Sequence, residues 1–306
     1  MRVFVGTLYS GENEYEECLA SIRNQTYRDF DHFIFKDLPN KEAHAALFKS
    51  FLERANEYDI LIKVDADVVL SSNTIFEKIV DKMHESDWLD VLSPAVRDFF
   101  TGQLIDAGLT VYRNTVRWDY EKDTMFVDIP ESGQDRYLYD DKELAPAAIH
   151  CKNPAPWQAF HYGVHRGLKS IQRIHSTSHW AFLEEVWANF LRTGDIRIGL
   201  AVLGAELVYA GRFKRSDVDY TNPRMKTILE EYLSLDSAGL ERKIRRLRAH
   251  NWGMLPGDAR RRLIRALRGD NVPRCVAYEV RLLTRETMER IRRRLRGRTR
   301  TVRSGT

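Results

Sequence analysis

No stretch of the 306-residue chain approaches the ~20 consecutive apolar residues that a membrane-spanning helix requires. The opening MRVFVGTLYSG becomes polar too soon for a signal peptide, so we expect a cytosolic protein. Cysteine is also scarce. Cys18, Cys151 and Cys275 lie far apart and lack metal-type spacing, which excludes a disulfide framework and a cysteine zinc site. We expect them to be small, buried hydrophobic residues.

The charge is divided unevenly along the chain. Residues 1–223 carry 25 basic and 35 acidic side chains, a net charge of −10, whereas residues 224–306 carry 23 and 9, a net charge of +14. We therefore expect the two parts to have different partners.

The first hundred residues alternate between short apolar runs and longer stretches of helical periodicity. This alternation is typical of βαβ units and predicts an α/β domain with a parallel sheet. The run DILIKV at 59–64 is almost uninterruptedly apolar, as expected of a central strand covered on both faces. A helix is predicted to begin near Ser72, with Asn73 as its cap. Strand patterns dominate from 89 to 127, and helical patterns follow residue 158.

Asp65 and Asp67 come directly after the central strand, with one residue between them. Ligands of open α/β sheets bind at this edge, and carboxylate oxygens suit Mg²⁺ or Mn²⁺ ions that bridge phosphates. An ion bound there would neutralise the charge that develops on a departing diphosphate. A solvated Asp-x-Asp turn is the alternative for the triplet alone, but its place at the end of a buried strand favours a metal site.

Four segments share the pattern of one known family. They are VGTLYSGENEYEECLASIRNQTYRDFDHFIFKD, ILIKVDADV, LAPAAIHCKNP and the AFHYGVHRG that follows it. Together they resemble the family 2 glycosyltransferases of the GT-A fold, over roughly residues 1–170. The resemblance implies a nucleoside-diphosphate sugar as donor and Mn²⁺ or Mg²⁺ as cofactor.

The same resemblance assigns residues to the donor site. It implies that Thr7 and Tyr9 line the nucleotide pocket, with the Tyr9 ring stacked on the base. Asp37, at the end of the second strand, would accept a hydrogen bond from the base. Lys49 occupies a position where the family often has a basic residue near the diphosphate, although a solvated helix face explains it equally well.

Three residues are expected at the metal. The resemblance implies that Asp67 binds the ion directly, and that Asp65 contacts the ribose or the metal's waters. His150 ends an apolar strand and precedes a proline-containing loop, so it could present a neutral imidazole to the same ion. His165 or Arg166 could reach the diphosphate from the next helix.

The catalytic base is less clearly marked. Inverting members of the family use an Asp, commonly preceded by Glu, to deprotonate the acceptor hydroxyl. Here Gln134-Asp135 is the candidate dipeptide, and we place Asp135 ahead of Asp128. A retaining transferase, which needs no such base, is the alternative. A sugar nucleotidyltransferase is disfavoured because the loop after the first strand is not Gly-rich.

We therefore expect a GT-A-like, Rossmann-like α/β domain that binds a nucleotide sugar over residues 1–223, followed by a basic α-helical appendage over residues 224–306. Within the domain, residues 1 to about 100 form the donor half and residues 101 to about 170 the acceptor side, with a helical continuation to 223.

The basic appendage suggests a polyanionic partner. An anionic membrane surface fits an enzyme that acts on a cell-surface glycan or a lipid-linked acceptor, which would place the protein peripherally at the inner face of the membrane. Specific nucleic-acid binding is not expected, because the segment lacks interleaved aromatic residues and a recognition motif. The second whole-protein hypothesis is a non-catalytic, degenerate transferase domain with a polyanion-binding tail; metal-dependent affinity for a nucleoside diphosphate would discriminate against it.

Overall fold

The computed structural model describes residues 1–118, 136–170, 176–214, 217 and 219–252. Ten strands lie in these ranges: β1 Val3–Tyr9, β2 Phe30–Lys36, β3 Ile60–Val64, β4 Val68–Leu70, β5 Val91–Pro94, β6 Val96–Asp98, β7 Leu104–Ile105, β8 Leu109–Arg113, β9 Tyr137–Asp141 and β10 Ala148–His150. The eight helices of the same ranges are α1 Tyr15–Arg23, α2 Asn40–Leu52, α3 Ile75–Glu85, α4 Pro156–Ser170, α5 Ser176–Thr193, α6 Ile196–Tyr209, α7 Pro223–Glu230 and α8 Ser237–Trp252.

The larger sheet has six strands in the order β2-β1-β3-β8-β5-β9. β1 pairs in parallel with β2 and β3, whereas β8 is antiparallel to both β3 and β5. All five residues of β3 are buried, as expected of a central strand. The α/β class predicted from the alternating pattern is thereby confirmed for the described residues, but the sheet is mixed and not parallel throughout, because β8 runs antiparallel to both of its neighbours.

The two faces of this sheet carry separate hydrophobic clusters, because successive side chains of a strand point to opposite sides. Val3, Val5 and Ile62 pack on one face with the apolar sides of α1 and α3. Phe4 and Leu61 pack on the other face with α2, in an aromatic cluster that also contains Phe48, Phe51, Tyr58, Tyr112 and Trp118. Helices on both faces explain why the central strand has no polar face.

A smaller sheet has four strands in the order β4-β10-β6-β7. Its strand β4 follows the carboxyl end of β3 directly in the sequence. β10 is antiparallel to β4, with Val68 opposite His150, and parallel to β6, with His150 opposite Asp98. This register places the ends of three separate chain segments next to each other.

The helices that follow β10 form a third hydrophobic cluster around α6, in which every residue from Ile198 to Val208 is buried. α4, α5 and α8 all pack on α6. Leu240 and Ile244 of α8 are fully buried in this cluster, together with residues of α4 and α7. The helices on both sides of residue 223 thus share one core, so the boundary predicted there rests on charge alone and stays a prediction.

The start of α3 differs from the sequence expectation. The helix begins at Ile75, after Thr74, and Asn73 does not cap it; instead the Asn73 carbonyl oxygen accepts hydrogen bonds from the Thr26 N–H and hydroxyl. The arginine-rich residues 253–306 lie outside the described residues, and their helical character stays a prediction.

Among the helices of the described ranges, none combines the length and the apolar character that crossing a membrane would need.

Candidate active site

A cavity of about 330 Å³ lies at the carboxyl ends of the parallel strands β1, β2 and β3. This is the edge at which open α/β sheets bind ligands. Its lining comes from the loops after these strands, from the β7–β8 connection, from α4 and from Tyr220. Its charged and polar lining residues include Ser10, Glu12, Lys63, Asp65, Asp67, Asp106, His150, Gln158, His161, His165, Arg166 and Lys169.

Asp65 and Asp67 both reach the cavity, but their carboxylates have different neighbours. The nearly fully buried Lys63 places its ammonium nitrogen 2.5 Å from Asp65 Oδ1, and the Asp65 N–H donates to the Gly108 carbonyl oxygen. Asp67 Oδ1 is buried and has no hydrogen-bond partner among the described residues. The Asp65 charge is therefore balanced within the protein, whereas the Asp67 carboxylate retains an unsatisfied oxygen that fits a cation.

His150 is held with one ring nitrogen directed towards Asp67. Its Nδ1 lies 2.7 Å from Asp98 Oδ1, and the buried Asp98 also accepts hydrogen bonds from the N–H and hydroxyl of Thr101. This leaves Nε2 facing Asp67 Oδ2 at 3.6 Å. Histidines that bind metals usually have such a carboxylate on their other nitrogen, since it fixes the ring orientation. Asp67 and His150 thus fit a divalent ion.

The Asp98–His150 contact also governs their protonation. Burial alone would lower the pKa of His150, but the carboxylates of Asp67 and Asp98 outweigh burial and raise it. Burial would likewise raise the pKa of Asp98, yet the hydrogen bonds from His150 and Thr101 and the charge of His150 lower it. Asp98 is therefore an ionised orienting group for the imidazole.

Cys151 follows His150 and lies against the same carboxylate. Its Sγ is 3.2 Å from Asp67 Oδ2 and 3.6 Å from His150 Nε2. Both Cys151 and Cys18 are free and buried, as the sequence predicted. The position beside Asp67 was not predicted, because the cysteine spacing carries no signal for it.

Two acidic residues of the β1–α1 loop were also missed by the sequence reasoning. Glu12 lines the cavity, and burial, opposed by its hydrogen bond from the Ser10 N–H, raises its pKa to about 7. Glu14 is buried and accepts hydrogen bonds from the Gln158 side-chain amide and the Asn153 N–H, so it connects this loop to the start of α4. The alternate acidic residues from 12 to 16 were the available sequence signal.

The α4 side of the cavity is basic. His161, His165, Arg166 and Lys169 line it from successive turns. Burial would lower the pKa of Arg166, but Tyr162 and the carboxylates of Asp98 and Asp106 raise it. A guanidinium so placed remains charged and interacts with the carboxylates of Asp98 and Asp106.

The other predicted donor-site residues do not line this cavity. Thr7 is buried, and its hydroxyl lies 2.9 Å from His32 Nε2. The Tyr9 ring stacks on Tyr15 with centroids 3.9 Å apart. Asp37 has a positive φ of 55° and donates its N–H to the Tyr9 carbonyl oxygen. Lys49 is exposed and lies 3.9 Å from Glu53.

The binding roles of these four residues stay predictions. Asp128 and Asp135, the candidate bases, lie outside the described residues. Of the predicted site residues, five line the cavity: Asp65, Asp67, His150, His165 and Arg166.

No protein-family model matches the chain, and no curated protein matches it. Among solved structures, the chain is similar to the mannosyltransferase PcManGT from Pyrobaculum calidifontis in complex with GDP-Man and Mn²⁺, with 12% identity and a TM-score of 0.36, over 85% of this chain and 86% of that one. It is also similar to TarS from S. aureus, with 13% identity and a TM-score of 0.32, over 76% of this chain and 55% of that one. A third is A197 from STIV, with 19% identity and a TM-score of 0.32, over 43% of this chain and 74% of that one. Similarity at this level carries no argument about function.

Proposed function

We propose that this chain is a glycosyltransferase that moves a sugar from a nucleoside-diphosphate sugar to a hydroxyl acceptor, with a divalent ion bound at Asp67 and His150. The observation that carries the proposal is the meeting of these two side chains beside a cavity of about 330 Å³ at the carboxyl ends of the parallel strands β1, β2 and β3. The unpartnered Asp67 oxygen and the Asp98 carboxylate behind His150 support it.

The charged lining of the cavity suits the diphosphate of such a donor. A bound Mg²⁺ or Mn²⁺ would supply charge neutralisation at the diphosphate. Arg166 and Lys169 supply further positive charge from α4. The resemblance assigns the nucleoside to Thr7, Tyr9 and Asp37, which do not line this cavity. Lys63 holds Asp65 in place, in reach of the ribose or of waters around the ion.

The stereochemical outcome depends on a base. We propose inversion, with Asp135 ahead of Asp128 as the group that takes the proton of the acceptor hydroxyl. A product with retained anomeric configuration would instead support the retaining alternative. The proposed acceptor, a cell-surface glycan or its lipid-linked precursor, follows from the basic C-terminal residues.

The substitution Asp67→Asn tests the proposal. Because it replaces a metal-binding carboxylate oxygen by an amide, we expect metal-dependent donor hydrolysis and transfer to fall by at least about 100-fold with little change in fold. The wild type and the variant are each tested with a panel of nucleoside-diphosphate sugars and Mn²⁺ or Mg²⁺. Donor binding is measured as thermal stabilisation, and hydrolysis and transfer are measured by product analysis. Asp81→Asn, at an exposed position of α3, is the matched control and should retain full activity.

Undiminished activity of Asp67→Asn would overturn the metal site. A wild-type protein that gains no metal-dependent affinity for any nucleoside diphosphate would support the non-catalytic alternative instead.

A further inference from the structure

Cys151 lies opposite Asp67 because of the strand pairing beside the cavity. β4 and β10 are antiparallel with Val68 opposite His150, so the residue before β4 faces the residue after β10. The Cys151 N–H donates to the Asp67 carbonyl oxygen at 2.7 Å, which extends the ladder by one residue. The backbone leaves the extended conformation at Cys151, where φ is +50°, and the side chains of Asp67, His150 and Cys151 meet in one small region.

Three different ligand atoms meet in that region. Cys151 Sγ is 3.2 Å from Asp67 Oδ2 and 3.6 Å from His150 Nε2, and the last two atoms are 3.6 Å apart. Ligands around a tetrahedral ion with bonds of roughly 2.0 to 2.3 Å lie roughly 3.3 to 3.8 Å from one another. The oxygen, nitrogen and sulfur atoms therefore already have the spacing of ligands that share one ion.

Two of the three groups are directed towards this point for reasons independent of the cysteine. Asp98 Oδ1 is hydrogen-bonded to His150 Nδ1, so the other ring nitrogen, Nε2, is left for another partner. Asp67 presents Oδ2 to His150 Nε2 at 3.6 Å, and its other carboxylate oxygen, Oδ1, is buried without a hydrogen-bond partner among the described residues. At Cys151 the backbone φ is +50°, which glycine adopts more readily, so the backbone gives no reason for a cysteine.

We propose that Cys151 Sγ is a third protein ligand of the metal ion, and that the site accordingly takes a borderline ion of the Zn²⁺, Co²⁺ or Fe²⁺ class in preference to Mg²⁺. The inference rests on the proposed function for the presence of an ion at Asp67 and His150. Thiolate and imidazole suit ions of this class, whereas Mg²⁺ takes oxygen ligands in octahedral geometry. The thiol proton passes to solvent when the sulfur–metal bond forms.

The alternative role for Cys151 is a hydrogen bond from its S–H to Asp67 Oδ2. Serine can make that hydrogen bond but is a poor substitute for thiolate sulfur, so Cys151→Ser separates the two roles. If Cys151 is a ligand, it is needed for strong binding of Co²⁺, and its replacement leaves the affinity for Mg²⁺ unchanged. As a hydrogen-bond donor, it can be replaced by serine without a change in metal preference.

Co²⁺ is the probe of choice because its bond to thiolate gives a near-ultraviolet charge-transfer band. The test uses the full chain with Cys18→Ser and Cys275→Ser, which leaves Cys151 as the remaining cysteine. We expect this protein to bind Co²⁺ with the thiolate band and to prefer Co²⁺ to Mg²⁺ by calorimetry. Adding Cys151→Ser should abolish the band and weaken Co²⁺ binding by at least about tenfold, with Mg²⁺ binding unchanged.

Co²⁺ binding without the band in the Cys18→Ser, Cys275→Ser protein would overturn the inference and leave the proposed function standing. Because that protein retains Cys151, the result does not depend on how well the Cys151→Ser variant folds. A thiolate band without any metal-dependent affinity for nucleoside diphosphates would support the inference and overturn the proposed function. Failure to bind Co²⁺ at all would overturn both the inference and the metal part of the proposed function.

Discussion

Lys63 and the two acidic residues after β3 show how a single side chain assigns roles to its neighbours. An ammonium group in an otherwise apolar strand is costly to desolvate, and it is stabilised here by Asp65 at 2.5 Å. Lys63 neutralises Asp65 in this way, whereas Asp67 keeps a buried oxygen, Oδ1, without a hydrogen-bond partner among the described residues. Asp65 and Asp67 belong to the same Asp-x-Asp triplet, but their carboxylates have different neighbours.

Glu12 is the residue for which the structure predicts a pH effect. Burial raises its pKa from an ordinary 4.5 to about 7, with a further increase from the charge of Asp67. Between these two values the folded protein holds a proton that the unfolded chain has lost. Stability therefore falls as the pH rises through this window, and the loss is complete above about pH 7.

We expect Glu12→Gln to remove this loss, because the amide stays neutral at every pH. In metal-free buffer, the melting temperature of the variant relative to the wild type should rise by roughly 5 °C between about pH 4 and about pH 8. Thermal unfolding monitored by circular dichroism measures the difference. Glu16→Gln, at an exposed position of α1, is the control and should follow the wild type. A pH-independent difference for Glu12→Gln would contradict the buried, protonated state.

At the scale of elements, α4 and α6 are held together by glycine. A Cβ at Gly163 would lie 1.7 Å from the Ala201 carbonyl oxygen, and a Cβ at Gly204 would lie 2.5 Å from the Phe160 carbonyl oxygen. The two backbones therefore touch at a distance that no side chain permits. This contact fixes the helix whose other side supplies His161 and Arg166 to the cavity.

Gly163→Ala should destabilise the protein by about 3 kcal/mol, since the clash is with backbone and the helices must separate. The sign is diagnostic, because alanine in place of glycine in an unhindered helix stabilises by up to about 1 kcal/mol. Gly211→Ala is the control, because it introduces backbone strain at a positive φ without a steric clash. Gly211 has a φ of +77°, and among the described residues no atom beyond Gly211 and its two chain neighbours lies within 4 Å of the place that a Cβ would take, so its substitution should cost only about 1 to 2 kcal/mol.

Urea unfolding of the two glycine variants beside the wild type gives both free energies. A Gly163→Ala protein as stable as the wild type would mean that α4 and α6 do not approach so closely.

At the scale of the whole molecule, the last residues of the helical hydrophobic core and the first residues of the strongly basic segment lie at different places from the boundary at residue 223. α8 belongs to the helical core through Leu240 and Ile244, and its Arg248 is held by Glu184 and Glu206. Residues 253–306, by contrast, carry 16 basic and 5 acidic side chains. The residues beyond α8 therefore carry most of the positive charge that would attract an anionic surface. The stability of the folded protein depends instead on α8 itself.

Truncation after residue 252 should accordingly leave a folded protein with unchanged nucleotide affinity and a loss of at least about tenfold in binding to anionic vesicles. Truncation after residue 223 should give a poorly soluble protein, because it uncovers the apolar surface beneath α7 and α8. Vesicle sedimentation at increasing salt measures the first effect, and binding by the full chain should weaken as the Debye length shortens to roughly 4 Å. Equal vesicle binding by the full and the 252-residue proteins would exclude an electrostatic role for the removed residues.

The sequence by itself determined the α/β pattern, the central strand and the position of Asp65 and Asp67 at its end. These features are local: the period of apolar residues reports burial on one or two faces, and the residues after a buried strand necessarily reach the edge of the sheet. The strand Leu109–Arg113 lies within the range 89–127 in which strand patterns were predicted. Helix ends were less well predicted, as at Ile75, because a capping residue is selected by tertiary contacts as well as by its type.

Only the tertiary structure decided what surrounds Asp67. His150 and Asp98 are 52 residues apart, and Cys151 and Asp67 are 84 residues apart. They meet because β10 pairs with both β4 and β6 in one register. A shift of one residue would turn each side chain to the opposite face of the small sheet. The sequence pattern of these short strands does not encode that register, which is selected by the packing of the sheet as a whole.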